Sequence, residues 1–299
     1  MPSHETNREG LEDYAIDWGW AADRGTQPGM TAIVRVKNEC RSLPFVLPPL
    51  MRAVSHVVLV DNNSTDGTPE IAAEIATKVP GHLEVVRYPF DVSRCGPEHL
   101  GTPPDSVHSL TYFYNWSFAH VRTMYAIKWD GDMVLTEGGI AALRDLTWQL
   151  EGTHRIITMR RYPLYVASPE IGYLDVSPTN REAWGWPNLP EVRHVKAFEW
   201  ELPRWPQATS RVSLPDWLCI ELKHLDADEF AHWSAVDFGA SGRTARKQRE
   251  SMIFAALSDG AASLPQVVKI EAPQGQHIVD HVRLQWIPEH SEELARLEI

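Results

Sequence analysis

The sequence predicts an α/β fold, an open and largely parallel sheet flanked by helices, from three observations. Two β-branched runs, Ala32-Ile-Val-Arg-Val36 and His56-Val-Val-Leu-Val60, stop abruptly in polar residues, as buried parallel strands do when they feed functional loops. A third apolar run, Tyr125-Ala-Ile-Lys-Trp129, delivers two carboxylates, Asp130 and Asp132, separated by one glycine. Between the runs lie segments with helix signals, and this strand, helix, strand order requires right-handed crossovers with helices on both faces.

Taken in order, residues 1–29 form a polar lead-in, 30–150 a ligand-binding half and 151–299 an elaborated second half. Helices are predicted over 43–53 and 68–78, the second opening on Thr68-Pro69-Glu70 with proline in the first turn. Leu83 to Arg87 reads as a strand, and Tyr88 to Pro104, interrupted by proline and glycine, as a long loop. A helix from about Ser106 to Arg122 leads into the Asp130 strand. Another follows from Gly138-Gly139 to about Gln149, and Arg155 to Arg160 is again a strand. From 162 to 222 the pattern changes to short strands broken by prolines. His224 ends a strand that begins at Cys219, and 276–286 also reads as a strand.

With 299 residues and 43% apolar content the chain can bury a sizeable core, and its net charge of −12 repels polyanions at long range. No apolar run reaches the roughly 20 residues needed to span a bilayer, and the first residues lack the basic and apolar regions of a signal peptide, so a cytoplasmic enzyme is expected. Cys40, Cys95 and Cys219 are widely spaced and support neither a disulfide framework nor a zinc site. The basic stretch Arg243-Thr-Ala-Arg-Lys-Gln-Arg249 reads more readily as the solvated face of a helix than as a phosphate clamp. Twelve tryptophans, among them Trp184, Trp186, Trp200, Trp205, Trp217 and Trp233, suit a core or the stacking of sugar rings.

Ligands of open α/β sheets bind outside the carboxyl ends of the strands, so Lys37 to Glu39, Asp61 to Asp66 and Asp130 to Asp132 line one crevice. Two carboxylates as close as Asp130 and Asp132 repel by about a few kcal/mol at an effective dielectric near 20, which a divalent cation between them would relieve. Their hard oxygens favour Mg²⁺ or Mn²⁺. The other reading of Asp130-Gly-Asp132 is a solvated turn.

Val36-Lys-Asn-Glu39, Val60-Asp-Asn-Asn-Ser-Thr-Asp-Gly-Thr68, Tyr114-Asn-Trp-Ser-Phe-Ala-His120 and Trp129-Asp-Gly-Asp132 resemble, in order and spacing, the motifs of family-two glycosyltransferases with the GT-A fold. The resemblance covers roughly residues 30–150. It implies a GT-A type, single-sheet, Rossmann-like nucleotide-diphospho-sugar transferase fold with its acceptor half in 151–299. It also implies a nucleotide-diphosphate sugar as donor and Mn²⁺ or Mg²⁺ as cofactor. By this resemblance Asp132 is the principal metal ligand, and Asp130 reaches the ribose or shares the metal. Asp61 would accept hydrogen bonds from base or ribose, with Lys37, Glu39 and Asn62 around the nucleotide. Asn62 departs from the family, in which a second aspartate is frequent there, so the base stays open.

Most of the family inverts the anomeric centre, which requires a carboxylate base. Asp175, Glu182, Glu191 and Glu199 are the candidates in the acceptor half, and each reads more readily as a surface carboxylate than as the base. Cys219-Ile-Glu-Leu-Lys-His224 is similar to the tail segment of short family members, making His224 a candidate third metal ligand or a histidine buried at a strand end. His277 and His281, four apart, are expected to be structural rather than metal ligands. The acceptor stays open among a saccharide, a lipid-linked glycan, a small metabolite, a protein and a modified DNA base. A nucleotidyltransferase would carry a glycine-rich loop after its first strand, and Val36 to Arg41 has no glycine. A non-catalytic sugar- or nucleotide-binding module is the remaining alternative.

Overall fold

The structure, a computed structural model, describes residues 4–18, 27–150, 153–177, 180–197, 200–206, 210–227, 230, 242–261 and 263–297. A short antiparallel pair, β1 (His4–Glu5) and β2 (Ile16–Asp17), precedes the main sheet. There β3 (Gln27–Val36), β4 (His56–Asp61) and β5 (Leu83–Arg87) run parallel, with α1 (Leu43–Ala53) and α2 (Thr68–Lys78) as crossovers. Both helices have the bounds the sequence predicts. Gly67, at φ 86°, takes the left-handed conformation that admits glycine without strain, and Asp66 Oδ1 accepts the Thr68 N–H at 3.1 Å.

The segment expected as a loop over 88–104 holds a short helix, Pro97–Gly101, started by Pro97, and α3 (Leu110–Phe118) is shorter than the 106–122 expected. Ser109 caps it through the Tyr112 N–H, and Glu9 of the lead-in accepts from Ser106 Oγ at 2.6 Å and from the Val107 N–H at 3.0 Å. That preceding turn is tied elsewhere and cannot join the helix. Next, β6 (Thr123–Asp130) pairs parallel with β3, and Gly131 and Asp132 turn the chain into β7 (Met133–Leu135). Thr136 then caps α4 (Glu137–Gln149) by accepting the Gly139 N–H at 3.1 Å.

Beyond residue 150 come β8 (Arg155–Met159), β9 (Tyr162–Val166), β10 (Ile171–Asp175) and β11 (Glu182–Pro187), then the hairpin of β12 (Arg193–Ala197) and β13 (Trp200–Arg204). They are followed by β14 (Ser210–Ser213), β15 (Cys219–His224), α5 (Gly242–Ser258) and β16 (Val267–Glu271). The sequence implied one sheet, whereas the described residues build two larger ones. A seven-stranded sheet has the order β14-β8-β11-β6-β3-β4-β5, and a five-stranded sheet the order β16-β10-β9-β15-β7. The proline-broken strands of the second half divide between them, which is why one sheet does not hold them all.

The expected strand over 276–286 is also replaced. Residues Ile278–His281 are α-helical and Val282–Trp286 form a π turn, because the buried Ile278, Val279, Val282 and Ile287 share one helical face. His277 starts this helix by accepting the Val279 N–H at 3.2 Å, and His281 Nδ1 lies 3.1 Å from Gln285 Oε1, so both serve the fold. One face of the large sheet, with Val34, Leu59, Ile127 and Trp129, packs on α1 and α4. The other, with Ile33, Val58 and Ala126, packs on α3 through Tyr112, Phe113 and Trp116. No helix among the described residues is long and apolar enough to cross a membrane.

Candidate active site

The polar ends of β3, β4 and β6 meet in one crevice. Asn38, at φ 61°, tightens the turn after β3 so that its N–H donates to Ser64 Oγ at 2.9 Å and its side chain accepts the Thr65 N–H at 2.8 Å. The Glu39 N–H donates to Thr68 Oγ1 at 2.8 Å and the Cys40 N–H to Asp66 Oδ2 at 3.1 Å. Burial pushes the Asp66 carboxyl up, but the hydrogen bonds from Thr68 and Cys40 outweigh it and hold the group below its usual range. The loop after β6 presses on this assembly. A Cβ on Gly131 would stand 2.8 Å from both Glu39 Cγ and Val36 Cγ1, so the residue between the two aspartates must be glycine for the strands to approach.

Asp61 is 3% exposed at the end of β4, and its carboxylate accepts the Ser64 N–H at 3.3 Å. The Asn62 amide donates to the carbonyls of Tyr88 at 3.2 Å and Phe90 at 2.6 Å, which fastens the start of the long loop. The Lys37 ammonium reaches the exposed Asp91 at 3.3 Å. Of the three cysteines Cys219 is buried, whereas Cys40 and Cys95 are half-buried.

Protein cations surround the carboxylate pair. Asp130 Oδ1 lies 3.2 Å from Arg35 Nη2 and 3.6 Å from Lys128 Nζ, while Asp132 Oδ2 lies 2.8 Å from Lys223 Nζ. Burial works against the charged form of Asp130, yet Lys128, Arg35 and Arg161 more than offset it, so its carboxyl stays below the ordinary range. The repulsion that the sequence argument assigned to a metal is thus relieved in part by lysine and arginine. Among the described residues no three His, Cys, Asp or Glu side chains are gathered as a ready-made metal group, so Asp130, Asp132 and His224 do not form one in this arrangement. Strand alternation places Lys223 on the Asp132 side of β15 and His224 on the opposite face.

Beneath the crevice lies a buried ionic network. Arg161 pairs with Glu221 and, at 3.0 Å, with Glu182. Arg246 reaches Glu250 at 2.7 Å and Glu182 at 3.5 Å, and Lys247 reaches Glu250 at 2.8 Å. The solvated helix face expected for Arg243 to Arg249 is therefore corrected for its described members: Arg246 and Lys247 turn inward, and Arg249 binds Asp175 Oδ1 at 2.9 Å. The carboxylates of β11 and β15 draw the helix in.

The four candidate bases separate clearly. Asp175, 2% exposed, is occupied by Arg249 and by the Ser177 N–H at 3.0 Å, whereas Glu191 is exposed. Glu199 lies outside the described residues. Of the three described candidates only Glu182 lines a cavity of about 680 Å³ that adjoins Asp130 through Lys128. Tyr114, Trp186, Trp200 and Trp205 wall this cavity beside Lys128, Arg181, His194 and Glu201. Trp184 and Trp217 are buried in the core instead, and Trp233 lies outside the described residues. Sequence reasoning missed Arg35, Lys128 and Glu201. The first two were detectable, because charges in the middle of apolar strands demand partners, and Lys128, Asp130 and Arg35 lie on one face by alternation and register.

Comparison of the sequence with protein-family models and with curated proteins gives no match. Among solved structures the chain is similar to S. aureus TarS 1–349 in complex with UDP-GlcNAc, with 13% identity, 79% of this chain and 68% of that chain covered, and a TM-score of 0.44. The same TarS fragment with UDP gives 16% identity over 45% of this chain and 36% of that chain, barely a third of its length, with a TM-score of 0.33. Glucosyl-3-phosphoglycerate synthase from Mycobacterium tuberculosis, in complex with Mn²⁺, UDP-glucose and phosphoglyceric acid, gives 16% identity, coverage of 47% and 45%, and a TM-score of 0.29.

Proposed function

We propose that the chain is a glycosyltransferase that moves a sugar from a nucleotide-diphosphate donor to an acceptor hydroxyl, with inversion and with help from Mg²⁺ or Mn²⁺. The observation that carries this reading is the convergence of the β3, β4 and β6 ends on the Asp130-Gly131-Asp132 turn, directly beside an aromatic-walled cavity. The strand-end loops bind the nucleotide, Asp61 receiving hydrogen bonds from base or ribose and Lys37, Glu39 and Asn62 shaping the surroundings.

The two carboxylates open on the crevice, with side chains 35% and 19% exposed, and their hard oxygens suit a divalent cation whose remaining ligands come from phosphate and water. Asp132 would hold it and Asp130 would share it or reach the ribose, with His224 as a further ligand only if β15 rearranges. Such a cation supplies charge stabilisation for the departing diphosphate. Lys128 and Arg35 hold Asp130 ionised. Glu182, kept below its usual carboxyl range by Arg161 and Arg246 against the effect of burial, is a carboxylate at neutral pH on the acceptor side.

A thermal-shift screen of nucleotide sugars with and without Mn²⁺ tests the reading. A donor that stabilises the wild-type chain in the presence of metal, followed by transfer or hydrolysis of its sugar, is the expected result. A chain that no nucleoside diphosphate or nucleotide sugar stabilises would refute it.

A further inference from the structure

We infer that the Glu201 carboxylate is the hydroxyl-binding group of an acceptor subsite in the aromatic cavity, and that this subsite takes an uncharged sugar ring. The inference rests on the transferase reading and adds the acceptor's chemistry to it. β13 lines the cavity through Trp200, Glu201 and Leu202, and of these Glu201 is buried, 7% exposed, whereas Leu202 is 47% exposed. Glu201 Oε2 is buried and has no hydrogen-bond partner among the described residues. A carboxylate oxygen left so is among the costliest groups to keep in a fold, and a bound ligand that donates a hydrogen bond removes that cost.

The neighbouring cations do not fill the role. Lys196 faces Glu201 across the hairpin, yet its ammonium donates to the carbonyls of Leu100 and Thr102, each at 2.7 Å. Arg35 stacks 3.5 Å over the Tyr114 ring and reaches Asp130 at 3.2 Å. Burial lowers the His99 imidazole below its usual range, so this neighbour is neutral at pH 7 despite the opposing pull of Glu201.

The ligand class follows from the rest of the wall. Lys128 is paired with Asp130, Arg181 with Asp216 at 2.6 Å, and Glu182 with Arg161 at 3.0 Å, so the charged groups are balanced within the protein. Nothing there calls for a phosphate or a carboxylate on the ligand. Trp186, Trp200 and Trp205 give the wall the aromatic surface on which a sugar ring packs, and Glu201 accepts from its hydroxyl.

The test uses the full chain and three probes, the methyl glycosides of glucose, galactose and N-acetylglucosamine, followed by tryptophan fluorescence quenching, with UDP binding measured separately by calorimetry. At least one glycoside should quench with a dissociation constant of about 1–10 mM. Glu201→Gln should weaken that binding at least about tenfold and leave UDP affinity unchanged, since Glu201 lies outside the donor crevice. Should the Glu201 variant lose its fold by circular dichroism, Trp205→Ala at the cavity rim serves instead, with the same loss expected. Wild-type glycoside affinity in the folded variant, or no quenching by any of the three, would overturn the inference while UDP binding still upheld the donor reading. Failure of UDP and every other nucleoside diphosphate to bind would condemn the donor reading on its own.

Discussion

The Lys223 ammonium, 2% exposed, lies 2.8 Å from Asp132 Oδ2, and the same nitrogen lies 3.0 Å from Glu221 Oε1. One buried cation therefore serves a carboxylate of the crevice and a carboxylate of the core. Asp132→Ala leaves Lys223 neutralised by Glu221, so stability should change by less than about 1 kcal/mol while transfer is abolished. Lys223→Ala instead takes the lysine from Asp132 while Glu221 keeps Arg161, and should cost about 1–3 kcal/mol in urea unfolding. Full turnover by Asp132→Ala, or full turnover of the wild type in EDTA, would remove the carboxylate and its metal from the mechanism.

Gly131→Ala places a methyl group against Glu39 and Val36. The overlap should cost about 1–3 kcal/mol of stability and lower transfer at least about tenfold, because Glu39 must move away from the carboxylate turn. Paired denaturation and activity measurements on this variant check both numbers, and unaltered activity would show that the approach of the loops is not needed.

Asp61→Ala removes an acceptor from the nucleotide loops and also releases the Ser64 N–H. Binding of the matching nucleoside diphosphate should weaken by about 1.5–3 kcal/mol, the range for a charged hydrogen bond. Calorimetry reads this directly, and unchanged affinity places the nucleotide elsewhere.

Acid should unfold the chain through its buried network. An unfolded glutamate takes up its proton near 4.5, whereas folded Glu221 does so only well below that: burial pushes its carboxyl up, but Arg161, Lys223, Lys247 and Arg246 overcome it. The unfolded state thus binds more protons as pH falls past 4.5, and stabilisation present at neutral pH is progressively lost. The urea midpoint should hold from about pH 7 to 5 and then fall, less steeply in Glu221→Gln. Equal slopes in the two proteins would exclude Glu221 as a source.

Much of the first half was legible because its signals are local. β-branched runs ended by polar residues gave β3, β4 and β6, and Thr68-Pro69-Glu70 marked the start of α2. Failures came where distant partners decide. Glu9 shortens α3 from about a hundred residues away, Glu182 and Glu221 turn a basic helix inward, and α1 offers Phe45 to the His277 ring at 4.5 Å, where a strand had been expected. In the site, the aspartates stood out by their place at a strand end together with the motifs upstream of them. Glu201 did not, since its meaning lies in the partners it lacks.

Asp130 closes β6 in one sheet and Met133 opens β7 in the other, so Gly131 and Asp132 span the boundary between the two. The Leu222 N–H of β15 holds the Asp132 carbonyl at 2.8 Å, and Lys223 holds its carboxylate. Any excursion that peels β15 away therefore releases both contacts to Asp132. On the proposed function, the cation and the diphosphate it would hold thus depend on a strand of the second sheet, and the donor site is no more stable than the boundary that β15 closes.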